Sequence, residues 1–581
     1  MAATPETDDR PPRCLIVCCD GTNNTLTAGT QDTNVLRLVS HLAAHPSPER
    51  IVYYDPGVGT PDAAPPTDPI DWAQRTWERV AGLASGRGVY DNIGRAYLFL
   101  MQQWRDEHDR IYLFGFSRGA FTVRAVAGMV NLFGILRPDH DVLLPTLIRV
   151  YFSQPGNRGG MVQRATRWVH QTQRVHTAAA REATAPVRAA AVVVTRELLA
   201  QQSSTLFATP AGRTAWVHWV GVWDTVESVG LPGPLSRSNP STATLRDKRL
   251  RNVRHALAFD EHRWTFEPRL YEEPGDIAGA GQTLKQRWFA GVHCDVGGSY
   301  RSDDCRLSDE ALQWMVDEVA DDLAIPPLPA AAATARKRHD ALFDTPWWAL
   351  AGMCLRNMQP RSARGQAIVV VPGPWAGIAS SSVWDARRKL WPLAAALVLG
   401  ALFLLLSGAC LIPDGWGSLW HDGGAGAAAA AAAAFARAQL AALWLGGLLA
   451  SGQAPWQRAD AHPGWAMFWD FAFIACWGYG LARVASRSFA WLAGTRGPNE
   501  PLPWWRGVGM APLAAFGGDV CENLLLLAAL AAHGAGTDAL ARACLWLASL
   551  GSVCKFGGLI ACVPLLALRG WIALPGVPRR R

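Results

Sequence analysis

From Trp391 to Ile412 the chain runs for 22 residues, WPLAAALVLGALFLLLSGACLI, without a charge. At 1.5 Å per helical residue this covers about 33 Å, enough to cross a hydrocarbon core of roughly 30 Å. The run also divides the chain. Residues 391–581 carry 12 Lys+Arg and 8 Asp+Glu, whereas residues 1–390 carry 43 and 40, about twice the density. The whole-chain values, 18% charged and 50% hydrophobic, therefore average an ordinary soluble part and an apolar tail. The net charge of +7 divides into +3 and +4, too mild on either side for a nucleic-acid-binding surface.

The tail reads as an all-α transmembrane domain over residues 391–581. About four spans are expected: Trp391 to Ile412, Gly464 to Leu481, Val508 to Ala532 and Ala539 to Leu568. The stretch Ala425 to Ala450 would make a fifth, but it is mostly alanine and carries Arg437 and Gln439 near its middle. Four spans put Arg483, Arg487, Arg496 and Arg506, and the arginines after the last span, on the side of Arg387, Arg388 and Lys389. The positive-inside rule makes that side cytoplasmic. Asp470, Asp519, Glu522 and Lys555 interrupt the apolar stretches. They read either as an ion or proton path or as a Lys555 pair with Glu522 or Asp519 that locks the helices. The second reading is favoured because no broken-helix repeat is visible.

Upstream, short apolar runs end in small or acidic residues and alternate with helix-like stretches such as Val89 to Trp104. CLIVCC (Cys14 to Cys19) leads into Asp20-Gly21-Thr22, RIVYY (Arg50 to Tyr54) into Asp55, and IYLF (Ile111 to Phe114) into Gly115. WVHWVGVW (Trp216 to Trp223) leads into Asp224, and RWFAGV (Arg287 to Val292) into His293. This pattern predicts βαβ units and a mostly parallel sheet with flanking helices over residues 12–345, with ligand chemistry at the carboxyl ends of the strands. Residues 1–11 are acidic and proline-bearing, lack the apolar core of a secretory signal, and are expected to be disordered. Met161 to Ala211 reads as an amphipathic insertion, either a lid or a cover for a sheet edge. Residues 346–390 read as a linker. The twelve cysteines include no C-x-x-C pair, so no metal or cofactor is expected.

Gly115-Phe116-Ser117-Arg118-Gly119 is a G-x-S-x-G motif between an apolar strand and the helical AFTVRAVAGMV. Small residues two before and two after the serine allow the sharp turn that exposes a nucleophile. Ser117 needs a base, and the base an orienting acid. His293 and Asp224 lie at strand ends in the chain order Ser, Asp, His, with Asp295 as a rival acid. Arg118 would give one oxyanion N–H, and Gly21 or Thr22 the other; a plain turn with Asn capping the next helix is the alternative use of that loop. The loop Gly57 to Thr60 reads as structural. His255, Asp260, Glu261 and His262 do not have zincin spacing and read as a helix with a buried histidine and a salt-bridged face.

CCDGTNNT, GVGT, FGFSRGAFTVR, GVWDTVESVG, HALAFDEHRWTF and WFAGVHCDVGGSY, in this order, resemble the catalytic domain of the type VI secretion phospholipase effectors and their bacterial and fungal relatives. The resemblance covers about residues 12–345. It implies an α/β hydrolase whose Ser-Asp-His triad falls on Ser117, Asp224 and His293, and ester hydrolysis with glycerophospholipids as substrates. The apolar tail is no part of that domain. The expectation is an esterase tethered to a lipid bilayer, a bacterial inner membrane, facing the cytoplasm, with no nucleic-acid partner. Two other readings stay open: a transport or assembly protein whose hydrolase-like domain is a binding module, and an esterase on soluble acyl esters.

Overall fold

The computed structural model describes residues 11–21, 32–57, 87–152, 198–226, 249–271, 281–300, 307–329, 337–354, 356, 369–370, 379–380, 391–409, 463–494 and 505–572. Contacts divide the chain into two compact units. The first comprises residues 1–261, 265–339 and 356–381; the second comprises 262–264, 340–355 and 382–581.

The first unit is built on a seven-stranded parallel sheet of β1 (Cys14–Cys19), β2 (Arg50–Asp55), β3 (Arg110–Phe116), β4 (Val217–Trp223), β5 (Leu250–Ala258), β6 (Thr283–Phe289) and, at the edge, β8 (Val369–Val370). The spatial order is β2-β1-β3-β4-β5-β6-β8. β7 (Lys337–Arg338) and β9 (Ala379–Ser380) form a separate two-stranded pair.

Alternation along each strand makes two cores. Leu15, Val17, Leu113 and Val220 face one side, under the helices Arg87–Gln103, Arg118–Phe133 and Leu144–Phe152. Ile16, Cys18, Phe114 and Trp219 face the other, under Asn34–Ala44 and Leu307–Leu323. Because both faces are covered, the strands read in sequence as nearly continuous apolar runs. From β1 the chain passes to β2 on one side and then returns to β3 on the other. The carboxyl ends of β1 and β3 therefore flank the point where strand order reverses, the usual place for ligand chemistry in such sheets.

Two readings change here. The segment read as a helix around His255 is β5, with His255 buried inside the sheet. Arg254 and His255 hide the strand because a central strand can bury polar side chains that find partners: Arg254 pairs with Glu318 at 2.7 Å. Residues 346–390, read as a linker, supply a 3-10 turn (Pro346–Ala351), Arg356 and strand β8. The amphipathic insertion, apart from its last residues, and the alanine-rich stretch 425–450 lie outside the described residues, as does the expected N-terminal disorder over residues 1–10.

Among the described residues the second unit contains four long helices: Trp391–Ala409, Pro463–Gly494, Trp505–Gly534 and Asp538–Ile572. Within the last two, Val508–Ala532 and Ala539–Leu568 are long and apolar enough to cross a membrane. The helix from Pro463 continues past Arg483 and Arg487, well beyond the expected end at Leu481. A seam of small residues brings the last two helices together: a Cβ on Gly518 would stand 2.5 Å from Lys555 N, and one on Gly558 2.3 Å from Ala515 N. Within this seam Lys555 Nζ lies 2.6 Å from Asp519 and 3.6 Å from Glu522. Asn523 donates to Asp470 at 2.6 Å. The locked-pair reading of these residues matches that geometry. Leu397, Trp465, Trp546, Leu550 and Ile560 are meanwhile exposed.

Candidate active site

Ser117 joins β3 to the helix Arg118–Phe133 with φ 56° and ψ −119°, a conformation few non-glycine residues adopt. The two glycines of the motif make it possible. A Cβ on Gly115 would stand 2.5 Å from the Gly119 carbonyl oxygen, and one on Gly119 2.1 Å from that of Cys19. The turn is therefore wedged against the end of β1. The backbone N–H of Ser117 donates to Trp223 O at 3.1 Å, fixing it beside the end of β4. The side chain of Ser117, although at the helix N-cap, makes no capping hydrogen bond. Its hydroxyl is thus not committed to the helix.

Asp224 follows β4 directly, with φ 38°, and is completely buried. The registered pairs Phe116↔Trp223 and Trp223↔Ala256 put it between the ends of β3 and β5. His293 opens the short helix His293–Gly297 after β6. Its Nδ1 lies 2.6 Å from Asp224 Oδ2. Phe116 and Phe266 hold the imidazole, with ring centroids 4.6 and 5.0 Å away. Since an ionised carboxylate only accepts, the proton of a neutral His293 belongs on Nδ1. Nε2 is then an acceptor, buried without a hydrogen-bond partner among the described residues. Ser117, Asp224 and His293 thus sit at the carboxyl ends of β3, β4 and β6, while the Ser117 to Nε2 hydrogen bond is not formed in this structure. Such bonds are often loose before substrate binds.

The rival acid is used elsewhere. Asp295 accepts from Val292 N and His339 N at 3.0 Å and pairs with His339 Nδ1 at 2.7 Å. Of the oxyanion candidates, Arg118 begins the helix, where an N–H has no intrahelical acceptor. Gly21 N–H donates to Asp20 Oδ1 at 2.7 Å, and Thr22 lies outside the described residues. The acidic pair read as a salt-bridged helix face lies off any helix and serves the loops around His293, with Asp260 also paired to Arg338 at 3.1 Å. Asp260 accepts from Gly291 N at 2.7 Å and Glu261 from His293 N at 3.3 Å. Among the described residues no three His, Cys, Asp or Glu side chains converge on a possible metal position.

Three contributors were given no role in the site by the sequence reading. Arg356 is buried and clamps Asp224, with Nη1 2.5 Å from Oδ1 and Nη2 2.9 Å from Oδ2. Burial pushes the Asp224 carboxyl up, but the adjacent Arg356 and His293 outweigh it and hold it below the ordinary carboxylate range. A lone cation in the apolar WWALAGMCLRNM was the one available signal, since a buried arginine must find an acid. His255 accepts from Thr225 N at 3.2 Å and faces Gln286 Oε1 at 3.2 Å, bracing the loop that carries Asp224. Burial first and Arg124 second lower its pKa to about 3, so it acts as a neutral ring. Asp20, buried at the end of β1, accepts from Thr33 Oγ1 at 2.5 Å and Tyr54 Oη at 3.0 Å, tying that strand end to Thr33 and β2. A cavity of about 670 Å³, lined by Trp104, Arg110, Trp216 and His218 among others, lies at the amino ends of β3 and β4, the opposite end of the sheet.

A family model described as "T6SS, Phospholipase effector Tle1-like, catalytic domain" matches residues 13–318. The uncharacterized protein YEL023C of Saccharomyces cerevisiae is 30% identical over 265 residues, 44% of this chain and 32% of that protein. The chain thus spans about a third of the length of this curated relative.

Proposed function

Because the chain belongs to the Tle1-like type VI secretion phospholipase effector catalytic-domain family, we propose that it is a membrane-tethered serine hydrolase of the α/β-hydrolase type that cleaves carboxylic esters of glycerophospholipids. The observation that carries this reading is the His293–Asp224 pair at 2.6 Å, with Nε2 left bare beside the strand end that presents Ser117. Ser117 Oγ attacks the ester carbonyl while His293 Nε2 takes its proton. Asp224 keeps the ring in the Nδ1–H form and stabilises the imidazolium. The helix-terminal N–H of Arg118 donates to the oxyanion. His293 then gives the proton to the departing lysolipid oxygen, leaving an acyl-enzyme on Ser117. Water, deprotonated by the same Nε2, releases the fatty acid and restores the serine.

Membrane tethering is supported by the inverted character of the helical unit. It exposes Leu397, Trp546 and Ile560 and buries Asp470, Asp519, Glu522 and Lys555, the opposite of a water-soluble bundle. Arg387, Arg388 and Lys389 before the first helix support a catalytic domain on the cytoplasmic face. The purified chain, reconstituted in phospholipid vesicles, is expected to release fatty acid, and Ser117→Ala to release none above background. Equal rates from the two proteins would exclude Ser117 as the nucleophile.

A further inference from the structure

Arg356 lies 38 residues beyond the end of the family match at residue 318, yet it is 4% exposed and bound to the candidate catalytic acid. Its two terminal nitrogens meet both oxygens of Asp224, and they also donate to two backbone carbonyls: Nη1 to Ala258 O at 2.5 Å and Nη2 to Phe266 O at 2.6 Å. Ala258 N in turn donates to Asp224 Oδ1 at 3.0 Å. Each Asp224 oxygen thus has two donors, Ala258 N and Arg356 on Oδ1, Arg356 and His293 on Oδ2, which uses up the lone pairs of a carboxylate. The same guanidinium holds the carbonyl of Phe266, whose ring lies against the His293 imidazole. One side chain therefore fixes the carboxylate that orients His293 and the turn that walls it.

We propose that Arg356 is a positioning residue for the hydrolysis, setting the orientation of the His293 ring through Asp224 and Phe266; this rests on the function proposed above. Only a planar fork can meet two carboxylate oxygens and two carbonyls together, so lysine cannot replace it. Nearby, Glu261 accepts from the His293 N–H and Asp295 is engaged by His339.

The test compares wild type, Arg356→Met, Arg356→Lys and Arg356→Ala as full chains in vesicles. Three readouts are taken: fatty-acid release, the rate of fluorophosphonate labelling of Ser117, and the far-downfield proton resonance of the hydrogen-bonded His293 Nδ1–H. Arg356→Met is expected to lower kcat and labelling roughly 10- to 100-fold, as a small misplacement of catalytic groups does, with KM unchanged and the resonance moved or lost. Arg356→Lys should recover only part, and added guanidinium should restore activity to Arg356→Ala. A folded Arg356→Met with wild-type kcat, labelling and resonance overturns the proposal. If wild type itself neither labels nor hydrolyses lipid, the proposed function fails. The resonance still decides the role of Arg356, because it reads ring orientation without turnover.

Discussion

Buried charge does different work in the two units. In the sheet unit Asp224 and Arg356 join strand ends, and the carboxylate is saturated by backbone and side-chain donors. In the helical unit Lys555 bridges Asp519 and Glu522 between two helices that approach through Gly518, Gly551 and Gly558. The first arrangement leaves one group uncommitted, His293 Nε2, where a proton can be exchanged. The second places its polar groups inside and its large apolar side chains outside. A preorganised site keeps one acceptor open on a rigid frame, whereas a helix lock gathers its charges together.

The comparison breaks most sharply at Ser117. Ser117→Ala should lower phospholipid hydrolysis by about 10³-fold or more while leaving the thermal midpoint in place, as followed by fatty-acid release and calorimetry. In the helical unit, Lys555→Met strands two buried carboxylates and should cost about 3–5 kcal/mol, read by denaturant unfolding in detergent. Lys555→Met combined with Asp519→Gln and Glu522→Gln should recover much of that loss. If the single substitution costs nothing, the residues are no lock. Gly119→Ala drives a Cβ into backbone that cannot yield, 2.1 Å from Cys19 O. About 2–3 kcal/mol of stability should be lost, with labelling of Ser117 slowed along with it. A Gly119→Ala protein with the wild-type midpoint would show that the turn is not wedged.

The last effect concerns pH and is absent at neutrality, appearing only on acidification. The folded pKa of His255 is lowered to about 3 from about 6.5 in an unfolded chain. The unfolded state therefore binds the extra proton first as pH falls. The stability associated with neutral His255 is complete above about 6.5 and is lost towards pH 3, at up to about 1.4 kcal/mol per pH unit. His255→Gln, which retains an acceptor for Thr225 N–H, should flatten this part of the stability profile. An unchanged slope would mean that another group is responsible.

Local pattern made much of the sheet legible. CLIVCC, IYLF and WVHWVGVW are runs that a parallel strand covered on both faces requires, and they correspond to β1, β3 and β4. β5 was not legible, because Arg254 and His255 look like a polar helix face until Glu318 and Gln286 are brought beside them. The spacing of Gly115 and Gly119 around Ser117 is a short-range steric demand, so it is written in five residues. The choice between Asp224 and Asp295 as partner of His293 is not local: both follow strand-like runs, and only the folded chain brings His339 to Asp295.

By itself the sequence determined the fall in charge density at Trp391, the parallel α/β character of the first part and the sharp turn at Ser117, because charge density, apolar periodicity and glycine spacing act over a few residues. Tertiary structure alone decided that Arg356 reaches Asp224 across 132 positions, that Gly21 N–H is spent on Asp20, and that Lys555 meets Asp519. A buried charge takes whichever partner the fold brings within about 3 Å, and no local pattern encodes that distance.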